Sequence, residues 1–324
     1  MSTENRYLPN PLSTVREQPA YLVPAVLVLS LFALPFVTTR YVHSIIIIAN
    51  TFAIYAMAWD ILSGYTGYMN FGPSFFVGAG PYTVGILFVN FGVPLYVAIP
   101  IAFVVSVLSG LLVAYPSLRT SGFYFTLITV LLPLLGLKFV TIFSGYTGGR
   151  LGLQGLPLLT VIDSYYLALV GMLGTFGILY WLANSDFGLV LKSIKANELA
   201  VSSAGINPTK FKVGAFVVSA FFTSLGGIIY AHYVGIVTPS TTIDLHVSIV
   251  LIIAAIIGGT GTIYGAIGGA YFYVVARELL VPLGDIRFAI LYAFALVIVL
   301  VFPKGLTRAA WERTQSLFGG AARD

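Results

Sequence analysis

The chain has 324 residues, 58% of them hydrophobic and only 8% charged, with a mean hydropathy of +0.97. Soluble domains carry about 25% charged residues, so these few could not clothe a folded surface in water, and the composition describes an integral membrane protein. With no cysteine, disulfides, thiolate nucleophiles and Cys-ligated metals are excluded, and His43, His232 and His246 lie far apart with none in a His-Glu-x-x-His pair. The excess of 16 Lys and Arg over 11 Asp and Glu sits at the ends of apolar runs. That pattern writes membrane orientation and is no nucleic-acid footprint.

A bilayer core takes about 20 apolar residues per helix. Residues 1–20 are polar and contain Pro9, Pro11 and Pro19, which reads as a tail. Apolar runs follow at 21–37, 43–63, 73–91, 94–114, 120–142, 164–183, 211–233, 246–260, 262–281 and 286–302. The first ends in Thr38-Thr39-Arg40 and lacks a small-x-small cleavage site, so it is expected to be an uncleaved span. Runs such as Ile45-Ile46-Ile47-Ile48 do not alternate as barrel strands do. The expectation is an all-α membrane protein of about ten transmembrane helices in a single domain over 21–302, with a polar tail at 303–324. At the Gly-rich joint 258–261, residues 246–281 could form two spans or one broken helix.

An even number of spans puts both termini on one side. Arg6, Arg16, Arg119, Lys192, Lys195, Lys210, Lys212, Lys304, Arg308, Arg313 and Arg323 fall on that side, against Arg40, Lys138, Arg150, Arg277 and Arg287 opposite, a split of 11 to 5. The positive-inside rule makes the first side cytoplasmic.

Three Gly- and Pro-rich clusters interrupt the apolar pattern. They are Ser63-Gly64-Tyr65-Thr66-Gly67-Tyr68-Met69-Asn70-Phe71-Gly72-Pro73, then Gly145-Tyr146-Thr147-Gly148-Gly149-Arg150-Leu151-Gly152, then Gly258-Gly259-Thr260-Gly261-Thr262. Each can be a turn with close helix packing, or broken backbone lining a translocation route. Asp60, Tyr65, Thr66, Gly67, Asn70 and Gly72, with Gly258, Gly259 and Gly261, are the candidates for such a route. Ser-Gly-Tyr-Thr-Gly occurs at 63–67 and again at 144–148, on opposite faces by this topology. Among the ionisable residues near spans (Asp60, Lys138, Asp163, Asp244, Arg277, Glu278 and Asp285), most lie within a turn or two of a span end; Asp60, near the inner end of the second span, stands out and can be read as interfacial or as a residue of a cavity or a pair.

The substantial polar segment is 184–210, readable as two short helices. One, about 187–195, aligns Phe187, Leu191 and Ile194; the other, about 197–204, has Asn197 as N-cap and Gly205 as its stop. Such a pair can lie on anionic lipid or dock into a cytoplasmic partner.

These residues bring a family into view. Trp59-Asp60-Ile61-Leu62-Ser63-Gly64-Tyr65-Thr66-Gly67-Tyr68-Met69-Asn70-Phe71-Gly72 resembles the opening signature of LivM-type branched-chain amino acid ABC transporter permeases. Leu118-Arg119-Thr120-Ser121-Gly122-Phe123-Tyr124-Phe125, Thr147-Gly148-Gly149 with Gly152-Leu153, and Ser185-Asp186-Phe187-Gly188 through Gly205-Ile206 continue the likeness. Tyr230-Ala231-His232, Gly258-Gly259 with Gly261-Thr262, and Phe302-Pro303-Lys304-Gly305-Leu306 complete it in order. Tyr68, Pro73 and Pro81 depart from the common pattern, and the Glu-Ala-Ala element survives loosely as Glu198-Leu199-Ala200-Val201.

The resemblance implies a type II ABC-importer-like bundle with Gly/Pro-broken helices. It also implies a second, LivH-type permease subunit, two cytoplasmic ATPases that bind the ATP, and an extracytoplasmic solute-binding protein. The segment 184–210 would then couple to the ATPases through Lys192, Lys195, Glu198, Ala200 and Gly205. The solute would be a branched-chain or related amino acid, with urea or short amides as the alternative. In keeping with ATP bound elsewhere, the chain has no Gly-x-x-x-x-Gly-Lys-Ser/Thr loop. Neither mid-span charge pairs for an ATP-independent carrier nor a Gly-x-Ser-x-Gly nucleophile for an enzyme is present. A cysteine introduced at Ser193 is expected to react with membrane-impermeant reagents only from the cytoplasmic face; labelling from outside would reverse the orientation.

Overall fold

The computed structural model describes residues 22–120, 122–284, 286–301 and 305–307. The polar tails at 1–20 and, apart from 305–307, 303–324 lie outside the described residues, as do Ser121, Asp285 and Phe302. Eleven main helices follow one another: α1 Leu22–Ala33, α2 Arg40–Trp59, α3 Pro73–Gly85, α4 Leu95–Ser117, α5 Phe123–Ile142 and α6 Val161–Ala183. After them come α7 Asp186–Ser203, α8 Pro208–Val234, α9 Leu245–Gly258, α10 Ile263–Leu279 and α11 Ile286–Val301. The all-α expectation meets one small exception, in which β1 Leu153–Gln154 pairs antiparallel with β2 Ile236–Val237.

Among the described residues, six helical stretches are long and apolar enough to cross a membrane: Arg40–Gly64, Leu95–Ser117, Phe123–Ile142, Val161–Ala183, Pro208–Val234 and Pro239–Gly258. The other apolar runs also fold as helices: α3 has 13 residues and continues as a π-helical stretch over Ile86–Asn90, α10 has 17, and the described parts of α1 and α11 have 12 and 16. At 1.5 Å per residue α10 reaches only about 26 Å against a core of about 30 Å. By length and apolarity the described residues therefore support six spans where ten were expected.

The bundle is organised around α2, which packs against α6, α8, α9 and α10. Its most apolar stretch is 83% buried, whereas that of α4 is 28% buried. Lipid is as good a solvent for leucine as a protein core, so α4 leaves its apolar surface outward at no cost. Helix starts account for several of the ionisable residues. Thr160 caps α6 with Asp163 reaching back to its hydroxyl at 2.7 Å, and Asp244 caps α9 by accepting from the His246 amide at 2.8 Å.

Glycine sets how closely α9 and α10 approach. A Cβ on Gly258 would lie 1.9 Å from the Gly265 carbonyl oxygen, and one on Gly269 would lie 2.0 Å from that of Ala254. Residues 246–281 are thus two antiparallel helices in contact, turned through Gly259 (φ +113°) and Gly261 (φ +79°). One end of the bundle gathers residues 65–72, α7, the α9–α10 joint and Gly305, which abuts Gly259. The other gathers the α3–α4 and α5–α6 connections, where Asn90 donates to the Tyr146 carbonyl at 2.7 Å, and the β1–β2 ladder. The repeated pentapeptide contributes one copy to each end.

Gly258→Ala is expected to destabilise the fold by about 1–3 kcal/mol through overpacking against backbone. Gly174→Ala in α6, where an added Cβ meets nothing within 4 Å, should be neutral or slightly stabilising. Melting of the two variants in detergent distinguishes them.

Candidate coupling junction

The polar segment folds as the sequence suggests. Helix α7 is broken at Asn197, whose backbone is extended (φ −163°, ψ 101°), so it is two short helices meeting at an angle. The Asn197 side chain accepts from the Ala200 amide at 3.1 Å, capping the second, and Gly205 (φ +82°) ends it. Asn207 then caps α8, which opens on Pro208. Leu191 and Ile194 are buried, and the Phe187 ring lies 5.6 Å from that of Phe211 on α8. The hairpin is packed onto the bundle.

Helix α2 reaches the same end by widening into a π turn over Asp60–Gly64. A helix C-terminus leaves carbonyls without partners and favours a cation. Lys195 answers both needs, donating from Nζ to the Gly64 carbonyl at 2.7 Å. Asp60 is fully buried, and its Oδ1 accepts from the Gly261 amide at 2.7 Å, which ties α2 to the α9–α10 joint. Position 64 must be glycine, because a Cβ there would lie 1.9 Å from Asp60 Oδ1 and 2.6 Å from the Gly261 nitrogen. Lys192 places its ammonium 5.1 Å from the centre of the Tyr65 ring.

A second tie joins the other half of α7. Lys212, one turn into α8 and only 2% exposed, contacts Glu198 Oε1 at 2.6 Å and donates to the Tyr68 hydroxyl oxygen at 2.9 Å. That hydroxyl donates to Glu198 Oε2 at 2.6 Å. Burial and the hydrogen bond to Glu198 hold the Tyr68 phenol above its ordinary pKa, so it remains a donor. A buried ammonium without a partner would be strongly destabilising, and the bend at Asn197 delivers the carboxylate.

The remaining candidates are placed as follows. Thr66 donates to the Leu62 carbonyl at 2.6 Å. Asn70 accepts from the Gly72 amide at 2.9 Å through its side chain, and from Trp59 Nε1 at 2.7 Å through its carbonyl. Their polar groups thus shape residues 65–72 and the entry to α3. Gly67 takes the left-handed turn (φ +78°) beside the Lys195 stem, and Gly72 faces the Thr129 carbonyl. Ala200 is exposed, and Gly258 and Gly259 pack the joint itself. Sequence reasoning missed Tyr68 and Lys212 as partners of Glu198. The available signal was the second of two lysines in the first turns of an apolar helix, set among Phe211, Val213 and Ala215.

Apolar helices that cross a bilayer, broken at glycines and tied at one end to a polar hairpin, define a multi-pass membrane permease. The chain belongs to the family described as branched-chain amino acid transport system / permease component, whose profile matches residues 41–302. It is 25% identical to the high-affinity branched-chain amino acid transport system permease protein LivM of Salmonella typhimurium and 26% identical to that of Escherichia coli. Each match covers 91% of this chain and 76% of the relative. Over 40% of both chains it is 30% identical to the guanosine ABC transporter permease protein NupQ of Bacillus subtilis. No solved structure matches it significantly. The protein is therefore a permease component of an ABC transport system, which implies ATPase and substrate-binding partners.

Asp60→Ala is expected to release the Gly261 amide, since leaving a buried amide without its acceptor costs about 1–3 kcal/mol. Hydrogen exchange of the 258–264 region should speed up by roughly tenfold or more, while Asp60→Asn, which keeps an acceptor, should show a smaller change.

Proposed function

We propose that this chain is one of two non-identical membrane subunits, paired with a LivH-type permease, that import branched-chain or related amino acids across the cytoplasmic membrane. An extracytoplasmic binding protein delivers the solute, and two cytoplasmic ATPases bind the ATP. The observation that carries this reading is the double attachment of α7. Its first half holds the end of α2 through Lys195, and its second half holds α8 and Tyr68 through Glu198.

Leu189 and Leu199 stand 64% and 80% exposed on this hairpin, an apolar surface suited to an ATPase groove. Closure of the ATPases would push on α7. The displacement would pass through Gly64 and Asp60 to Gly261, so that the two glycine joints move together. This is a two-state shift, with Tyr65 to Gly72 and Gly258 to Gly261 as the gate. Arg119, Lys192, Lys195, Lys210 and Lys212 cluster at this end, which supports placing it in the cytoplasm. The alternation of connections between the two ends supports ten crossings of a type II bundle, with α1, α3, α10 and α11 among them and both termini inside.

The reading predicts that uptake into proteoliposomes requires co-purified ATPases and disappears when residues 198–205 are replaced by a flexible linker. Uptake by this chain alone would overturn it.

A further inference from the structure

Gly305 and Leu306, the described residues of the Phe302-Pro303-Lys304-Gly305-Leu306 element, take no part in the ties between α7, α2 and α8. They meet the bundle at another point. Helix α11 is described to Val301, and by Gly305 the chain lies against the α9–α10 joint. A Cβ on Gly305 would lie 2.2 Å from the Gly259 Cα, 2.4 Å from the Gly259 nitrogen and 2.7 Å from the Gly258 carbonyl carbon. All three are backbone atoms, which cannot turn aside as a side chain can, and Gly305 itself is left-handed (φ +86°). Two residues on, Thr307 fills the notch that the missing side chain of Gly268 leaves in α10. A Cβ on Gly268 would lie 2.3 Å from Thr307 Oγ1 and 3.1 Å from Thr307 Cβ. The Thr307 hydroxyl is 3.5 Å from the Gly265 carbonyl oxygen, at the long limit of a hydrogen bond.

Three attachments therefore converge on the joint. From the start of α10, Thr262 donates to the Gly259 carbonyl at 2.7 Å; from α2, Asp60 accepts from the Gly261 amide at 2.7 Å. The third comes from the C-terminal chain, and it is a fit of shape. Among the described residues no backbone hydrogen bond joins 305–307 to the joint, and Leu306 is only half-buried. A seat made of contact and one long hydrogen bond is readily left. The space it fills, however, adjoins the turning point itself. Gly259 (φ +113°) and Gly261 (φ +79°) are where α9 passes into α10, and rotation about the Gly259 torsions moves backbone that Gly305 touches. Hinges are a few positions of this kind.

We propose that residues 305–307 are a positioning strap for the gate: seated, they hold the joint in the geometry in which Gly261 meets Asp60, and they lift when the joint moves. The proposal rests on the importer reading, in which closure of the ATPases drives that movement through α7, and adds the C-terminal chain as the element that opposes it. Gly305 and Thr307 act through the joint and need touch no solute.

The chain has no cysteine, so Gly268→Cys with Thr307→Cys introduces a single pair. The 3.1 Å between the Thr307 Cβ and a Cβ at 268 is within a few tenths of an ångström of the disulfide range of about 3.5–4.5 Å. In the whole transporter in nanodiscs, mild oxidation is expected to close the pair, read as lost maleimide labelling. ATP turnover, which needs no knowledge of the solute, should then be lost and should return with dithiothreitol. Thr307→Cys alone, oxidised in the same way, should keep its turnover. It should also label faster with ADP and vanadate trapped on the ATPases than without nucleotide. A pair that does not close, full turnover with the pair closed, or labelling of Thr307→Cys indifferent to nucleotide would each overturn the proposal. The last holds even where the double variant fails to fold. If the unaltered transporter turns over no ATP, the importer reading falls first; if it does and a strap result fails, the strap falls alone.

Discussion

Hydrocarbon cannot solvate a backbone amide or carbonyl, and this constraint organises the molecule. Wherever a helix is interrupted, the freed groups must be satisfied from within the protein. At the end of α2 the Gly64 carbonyl is met by Lys195 and the Gly261 amide by Asp60, so two interruptions far apart in sequence are each completed by a side chain from elsewhere. Lys195 and Asp60, two of the few charged residues, are placed at these breaks. Glycine at 64 and 258 removes the side chains that would keep the partners apart. Charge and glycine content, which look unrelated in the composition, serve one geometry.

The same constraint explains why the hairpin is rigidly attached. Its amphipathic face is spent on α8, with Leu191 and Ile194 inside, and its cations are turned toward the end of α2. A hairpin lying on lipid would keep its lysines for headgroups. The bend at Asn197 lets Lys195 reach the end of α2 while Glu198 reaches Lys212 on α8, so the segment behaves as a bracket across the bundle.

Much of this was legible in the residues. Apolar run length located the helices, and Asn197, Gly205 and Pro208 located the breaks in the polar segment because capping chemistry is local. Span count was less legible, since composition marks an apolar run but not where its hydrogen bonding changes; α3 passes from α to π geometry at Ile86, and α10 stops at Leu279, short of its run. Long-range pairs were hidden for a different reason. Glu198, Tyr68 and Lys212 meet only after α7 bends and α8 returns beside residues 65–72, and no periodicity encodes that encounter. Asn70 and Thr66 show the converse. Their polarity marked an unusual stretch, and their groups proved to be engaged by nearby backbone.

The two-residue ladder at the far end has a mechanical consequence out of proportion to its size. Leu153 and Gln154 belong to the connection between α5 and α6, and Val237 and Ile236 to that between α8 and α9. Gly152 fits so closely beneath the Val237 carbonyl that a Cβ there would lie 2.4 Å from it. Two excursions that could have swung independently are riveted into one plate. Whatever lands on that face meets a single stiff platform, and tilting α8 at its base must carry the rim of α6 along with it.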